Sequence, residues 1–215
     1  NQAARRRQIV DAATVCAGND GLFAFRIRDV GERLDLTDGA VLYYFRTLDD
    51  LRLEVYRRAS EHWFTSRDTD PLSHPNAIAH LKANIDASLP REVAQEFRFL
   101  DEPLTSTRLH PAFRAIADGL FHREVGRVQT IFERGARESV FRLASDPTTA
   151  SRNLISRQAS YRLHILNDDP SITRYVAVEL VSSYARIVTA VPERAWVGEP
   201  EDAATDSPSE MHGDR

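Results

Sequence analysis

The chain has 215 residues, 42% of them hydrophobic, which is enough for one sizeable core or two smaller ones. It contains no apolar run of about eighteen residues, so no membrane-spanning helix is expected. The formal charge of −4 is unevenly placed: residues 1–58 carry ten bases against nine acids, residues 59–192 sixteen against sixteen, and residues 193–215 two against seven. A chain acidic overall is not a nonspecific nucleic-acid coat, so any DNA contact must come from a local surface.

Residues 2–18 read as a helix with a basic start, Arg5, Arg6 and Arg7, and with Ile9, Ala12 and Ala13 beyond it. Cys16, the single cysteine, lies on this helix and is expected to be a small buried apolar residue in a reducing cytoplasm. No secretory signal is expected from the opening residues, which begin at Asn1 rather than methionine. Val30 and Leu34 stand four apart and share one face of a short helix over 27–34. Thr37, followed by Ala40, Val41 and Leu42, marks an N-cap and a second short helix over 38–45. Two short helices with such a tight turn between them form a helix-turn-helix, whose second helix enters the major groove. The same layout also occurs in ordinary helical bundles, so spacing alone leaves both readings open.

Helices are expected over 48–66, 74–88, 91–105, 111–142, 148–167 and 170–190, and no segment sustains two-residue alternation. Pro75, Pro111, Pro147 and Pro170 mark helix starts, with Asp146 and Asp169 as N-caps for the last two. The expected fold is therefore all-α, with about nine helices. It divides into a three-helix head over 1–47, a larger helical domain over 48–192, and an acidic tail over 193–215 that has little to bury and is expected to be disordered.

Two faces of the larger domain stand out. Val176, Leu180, Tyr184, Ile187, Val188 and Val191 form an apolar stripe on the last long helix, and Leu154, Tyr161 and Ile165 form another on the helix before it. Such a pair makes half of a four-helix bundle, or else closes the monomer's own core. His62, Trp63 and Phe64 end the fourth helix, Val93, Phe97, Leu100 and Leu104 run along the sixth, and Phe113, Ile116, Leu120 and Phe121 line the seventh. With Arg98, His122 and His164 nearby, this aromatic interior suits a small-molecule pocket and equally suits plain packing. The seven histidines show no metal-ligand spacing, and no phosphate loop or nucleophile elbow appears, so neither a cofactor, a bound metal nor an enzyme is expected.

Residues 5–58 resemble the TetR family of one-component bacterial transcriptional regulators. The resemblance rests on the basic start with Ile9, Ala12, Ala13 and Gly21, on the Asp29-Val30 pair, on Gly39 opening the second short helix and Phe45 closing it, and on Asp49, Asp50 and Leu51. Phe132 to Thr173 resembles the family's BetI-like C-terminal subgroup through Gly135, Phe141 and Asp146. There are departures. Leu42 stands where the family usually has a phosphate-binding tyrosine, Leu48 where it has a lysine, and Asp35 where it has a turn glycine, while Asp38 adds a carboxylate. The Asp35 change is mild, because aspartate tolerates a left-handed turn.

The resemblance implies a cytoplasmic homodimer that binds a palindromic double-stranded DNA operator and a small-molecule effector, most simply a repressor released by that effector. Within that frame the expected DNA contacts are Arg5, Arg6, Arg7, Arg28, Thr37, Asp38, Gly39, Ala40, Tyr43, Tyr44 and Arg46, where the arginines and tyrosines compensate for the missing phosphate contacts. Ligand contacts fall to Trp63, Phe97, Arg98, Leu100, Phe121, His122 and Tyr161, and dimer contacts to Leu154, Tyr161, Ile165, Val176, Leu180, Tyr184 and Ile187. Leu42, Leu48 and Asp38 motivate the alternative, a ligand-binding or protein-interaction module that has lost specific DNA binding.

Overall fold

The computed structural model describes residues 1–67, 73–89, 97–105, 111–166 and 169–197. These residues form helices and no strand. The helices are α1 (Gln2–Asp20), α2 (Ile27–Leu34), α3 (Asp38–Tyr44), α4 (Leu48–Thr65), α5 (Ala77–Ser88), α6 (Glu102–Thr105), α7 (Pro111–Arg137), α8 (Pro147–Leu166), α9 (Arg174–Thr189) and α10 (Glu193–Val197). Val93 lies outside the described residues, as do the side chain of Leu104 and all of residues 198–215.

Local chemistry sets most helix starts. Thr37 Oγ1 accepts the Ala40 N–H at 3.2 Å, as expected of an N-cap. Thr47 and Asp50 form a reciprocal capping box at the start of α4, at 3.0 and 3.1 Å. Pro111 and Pro147 open α7 and α8, and Asp146 Oδ1 caps α8 through the Thr149 N–H at 2.9 Å. The other two proline starts need correction. Asn76 rather than Pro75 caps α5, and Thr173 caps α9, because each has a side-chain oxygen that can accept an amide of the first turn. Asp169 instead accepts the N–H and hydroxyl of Ser171, which closes a turn before the helix. The expected helix over 111–142 stops at Arg137: Ser139 turns left-handed and the Val140 and Phe141 amides fold back on Gly135 O.

Two apolar cores result. The first joins Ile9, Ala13, Cys16, Phe25, Val30, Val41 and Phe45 of the head to Leu51, Val55, Tyr56 and Trp63 of α4, and continues to Phe99, Leu100 and Phe113. Burying each large side chain among these contributes about 1.5–3 kcal/mol. The buried face of α4 thus belongs to the same core as the head. The second core packs α5, α7, α8 and α9 around Leu81, Phe132, Leu154 and Val181. Glu193–Val197 corrects the expected disordered tail at its start: this segment is helical, Trp196 is buried on the second core, and the Lys82 ammonium donates to Trp196 O at 2.8 Å. Among the described residues no helix is long and apolar enough to cross a membrane.

Candidate DNA interface and ligand cavity

The turn between α2 and α3 is tight for two reasons. Asp35 occupies the left-handed region at φ 54°, as expected of an aspartate in that position. Gly31 lets Leu36 O approach so closely that a Cβ there would meet it at 2.6 Å, a requirement the sequence reading missed. Asp38 is the first residue of α3, where its charge complements the helix N-terminus. That gives the carboxylate a local structural reason, independent of DNA.

The outer surface of α3 presents Tyr43, which is 74% exposed and meets Tyr44 edge to face at 5.1 Å. Tyr43, Tyr44, Arg5 and Gln8 line one shallow groove between α1 and α3, so the structure brings Arg5 of the basic arm together with both tyrosines. Arg7 and Arg46 are exposed, as are Thr37, Asp38 and Gly39, while Ala40 is half-buried. Arg6 is also exposed, but its guanidinium lies 4.4 Å over the Phe45 ring and 3.6 Å from the Glu54 carboxylate. Arg28 pairs with Glu32 one turn on. Leu48 is half-buried against the first core, and Leu42 is exposed beside Tyr43.

Two long-range contacts hold the loop between α1 and α2. The Arg52 guanidinium of α4 donates to Phe23 O and Phe25 O at 2.7 and 2.8 Å. The Glu102 carboxylate of α6 accepts the Leu22 N–H at 3.0 and 3.2 Å. Gly21, with φ 101°, permits the second contact, since a Cβ at that residue would lie 3.1 Å from Glu102 Oε1. Burial pushes the Glu102 carboxyl up, while the loop amides oppose that shift.

Behind this loop, α4, α7 and α8 enclose a cavity of about 120 Å³. Its apolar wall is Tyr56, Trp63, Leu100, Ala117, Leu120, Phe121 and Ile155, and its polar wall is Arg67, Asp101, Glu124, Gln158 and Arg162, with Asp118 and Ala159 completing the lining. Arg162 clamps Asp101 in a bidentate pair at 2.8 and 3.0 Å. Arg67 pairs with Glu124, and both are buried. The two guanidiniums also lie over the Trp63 ring, at 4.4 and 5.0 Å. The Tyr56 hydroxyl donates to Leu100 O at 3.2 Å, and burial pushes the phenol up from its ordinary value.

Of the residues expected to contact ligand, Trp63, Leu100 and Phe121 line this cavity. Phe97 packs on Trp63 from behind, with ring centroids 5.1 Å apart. Arg98 and His122 are exposed and do not line it; the His122 Nδ1 sits 2.7 Å from Asp118 O within its own helix. Tyr161 packs toward the second core and beside His164. Arg67, Asp101, Glu124, Gln158 and Arg162 were missed in the sequence, where their only signal was a polar or charged side chain within or beside apolar helical segments. Among the described residues, no group of three or more histidine, cysteine or acidic side chains is placed to hold a metal ion.

The apolar stripe of α9 is exposed at Leu180 and Ile187, while Val188 and Val191 are buried in the second core. Ile187 is 73% and Leu180 41% exposed, with Val176 and Tyr184 half-buried alongside; Arg157 of α8 lies 4.1 Å over the Tyr184 ring. Tyr175, which the sequence reading left out, is also exposed on α9. Leu154 requires correction. It is fully buried in the monomer's second core, because α8 directs it between α7 and α9, while Ile165 is half-buried on the same helix.

No family model matches the chain, and no curated protein does. Solved structures do match over most of its length. A candidate transcriptional regulator from Saccharomonospora viridis in complex with choline is similar with a TM-score of 0.78 at 18% identity, covering 86% of this chain and 96% of its own. A TetR transcription regulator from Haloarcula marismortui gives 0.69 at 20% identity, covering 86% and 98%. The transcriptional regulator FadR from Bacillus subtilis in complex with stearoyl-CoA gives 0.66 at 14% identity, covering 86% and 97%. At these identities the likeness speaks for architecture alone, and the chain has the fold of TetR-family transcriptional regulators.

Proposed function

We propose that the chain is a ligand-responsive DNA-binding transcriptional regulator rather than an enzyme, acting as a homodimer on a palindromic operator and released from it by a small molecule. The observation that carries this reading is the adjacency of Asp101 and Glu102. Asp101 lines the cavity while Glu102 holds the loop that enters α2 of the head. A ligand that rearranges the Asp101–Arg162 pair acts one residue away from the head's anchor. Proteins of the same fold have been solved in complex with choline and with stearoyl-CoA, which supports a ligand-binding role for this architecture.

In this mechanism α3 lies in the major groove, with Ala40 and Tyr43 toward base edges and with Arg5, Arg7, Arg46 and Tyr44 toward phosphates. Pairing through the α9 stripe sets the two heads one DNA turn apart. Ligand releases DNA only if it binds the DNA-incompetent arrangement more tightly, with a coupling of about 1–3 kcal/mol per site.

The exposure of Leu42 on α3 and the pairing of Arg6 with Glu54 favour a second reading, a module without specific DNA affinity. Selection of bound genomic fragments by the purified protein, with titration at two salt concentrations, separates the two. An enriched palindrome whose affinity falls steeply with salt supports the regulator. A folded, dimeric protein that enriches nothing supports the module.

A further inference from the structure

The polar wall of the cavity is itself balanced, but the buried Arg127 behind it adds a third guanidinium to the set. Arg67 and Arg127 both approach the same oxygen, Glu124 Oε1: Arg67 pairs with it closely, and Arg127 Nη1 stays 3.7 Å away. That Arg127 nitrogen is buried and finds no hydrogen-bond partner among the described residues. Arg162 and Asp101 satisfy each other. The buried set therefore holds three guanidiniums and two carboxylates, all with side chains 13% exposed or less. Burial pulls Arg127 down to about 10, Arg67 and Arg123 push it the same way, and Glu124 opposes them. Asp118 is exposed at the cavity edge, where water screens it, and Arg123 is already paired with Glu61 outside.

A surplus buried cation is costly, and one further anion removes the surplus. A carboxylate entering the cavity can take the Arg67 guanidinium, which frees Glu124 to close on Arg127 and leaves every guanidinium its own carboxylate. A cationic ligand would deepen the imbalance, and a neutral one would leave it. Size is set by volume: about 120 Å³ is close to the roughly 150 Å³ apolar cavity known to admit benzene.

We propose that the cavity is the site of a small organic monocarboxylate, its carboxylate held by Arg67 and its apolar body, about one ring in size, packed against Trp63, Leu120 and Phe121. This rests on the effector-site reading of the same cavity and adds the ligand's charge and size to it.

The test uses three probes that share a ring and differ in charge: benzoate, benzamide and benzylammonium. Each is titrated by calorimetry into the full chain. Benzoate is expected to bind at least about tenfold more tightly than benzamide, and benzylammonium more weakly still. Arg67→Gln is expected to weaken benzoate at least about tenfold. Arg127→Gln, which removes the surplus cation without touching the cavity lining, is expected to narrow the benzoate preference over benzamide. That second variant keeps the proposal testable if Arg67→Gln does not fold. Benzamide or benzylammonium binding as tightly as benzoate, or no benzoate binding by the folded wild type, overturns the proposal. Failure of the regulator reading looks different: no DNA is enriched, whichever probe binds. An enriched operator with no benzoate binding sinks the ligand class alone.

Discussion

The Glu102 carboxylate accepts the backbone N–H of Leu22, eighty residues earlier in the chain, at 3.0 Å. This contact ties α6 to the entry of the helix-turn-helix, and the residue before it, Asp101, belongs to the cavity. Replacing Glu102 with Ala leaves the half-buried loop amides without this acceptor. The expected cost is about 1–3 kcal/mol of stability, read by urea unfolding. Effector affinity should stay near the wild-type value while the effector's influence on DNA binding falls. Unchanged coupling would remove this contact from the signalling route.

Arg162 and Asp101 form a buried bidentate pair across 61 residues. Arg162→Leu strands the Asp101 carboxylate and should destabilise the fold by about 3–5 kcal/mol. Adding Asp101→Leu should recover much of that loss, since a paired burial costs little more than an apolar one. A double variant as unstable as the single one would show that packing, not charge, dominates at this point.

Tyr43 is 74% exposed on the outer surface of α3, and its ring meets Tyr44 edge to face. Tyr43→Ala should lower operator affinity by about 1–3 kcal/mol with a melting temperature near the wild-type value. Operator binding unchanged in that variant would take Tyr43 out of the reading set.

Leu180 and Ile187 lie one side of α9 outward, whereas Leu154 lies inward. Ile187→Glu and Leu180→Glu should each yield a folded monomer by light scattering and circular dichroism. Leu154→Glu should unfold the chain instead. A dimer that survives both α9 substitutions would place the self-association surface elsewhere.

Asp169 supplies a pH dependence whose sign can be worked out. The Ser171 hydroxyl and amide and the His164 ring hold its carboxyl down at about 2, below its ordinary 3.8. A depressed acid contributes stability above its unfolded pKa and loses it as pH falls through the folded value. The stability difference between wild type and Asp169→Asn should therefore shrink as melts are taken from pH 4 toward pH 2. A difference that stays constant over that window would show that the carboxylate is not selectively favoured in the fold.

Much of the helical architecture was legible in the sequence because its signals are local. Thr37 caps α3 through an amide three residues away, Asp35 turns on its own backbone, and Val30 and Val41 follow helical spacing into the first core. Pro111 and Pro147 start helices for the same kind of reason. The reading failed at Pro75 and Pro170, where a nearby Asn76 or Thr173 side chain offered the better cap, and at Trp196, whose burial depends on a surface built by other helices.

Only the tertiary structure decided the cavity and its link to the head. Arg67 meets Glu124 across 57 residues, Arg162 meets Asp101 across 61, and Glu102 meets Leu22 across 80. Along the sequence each of these is one more charged residue in a helical pattern, indistinguishable from a solvated one. Their partners are fixed by how α1, α4, α6, α7 and α8 pack and in what register, and that register comes from the summed fit of many apolar side chains rather than from any spacing of the charges themselves.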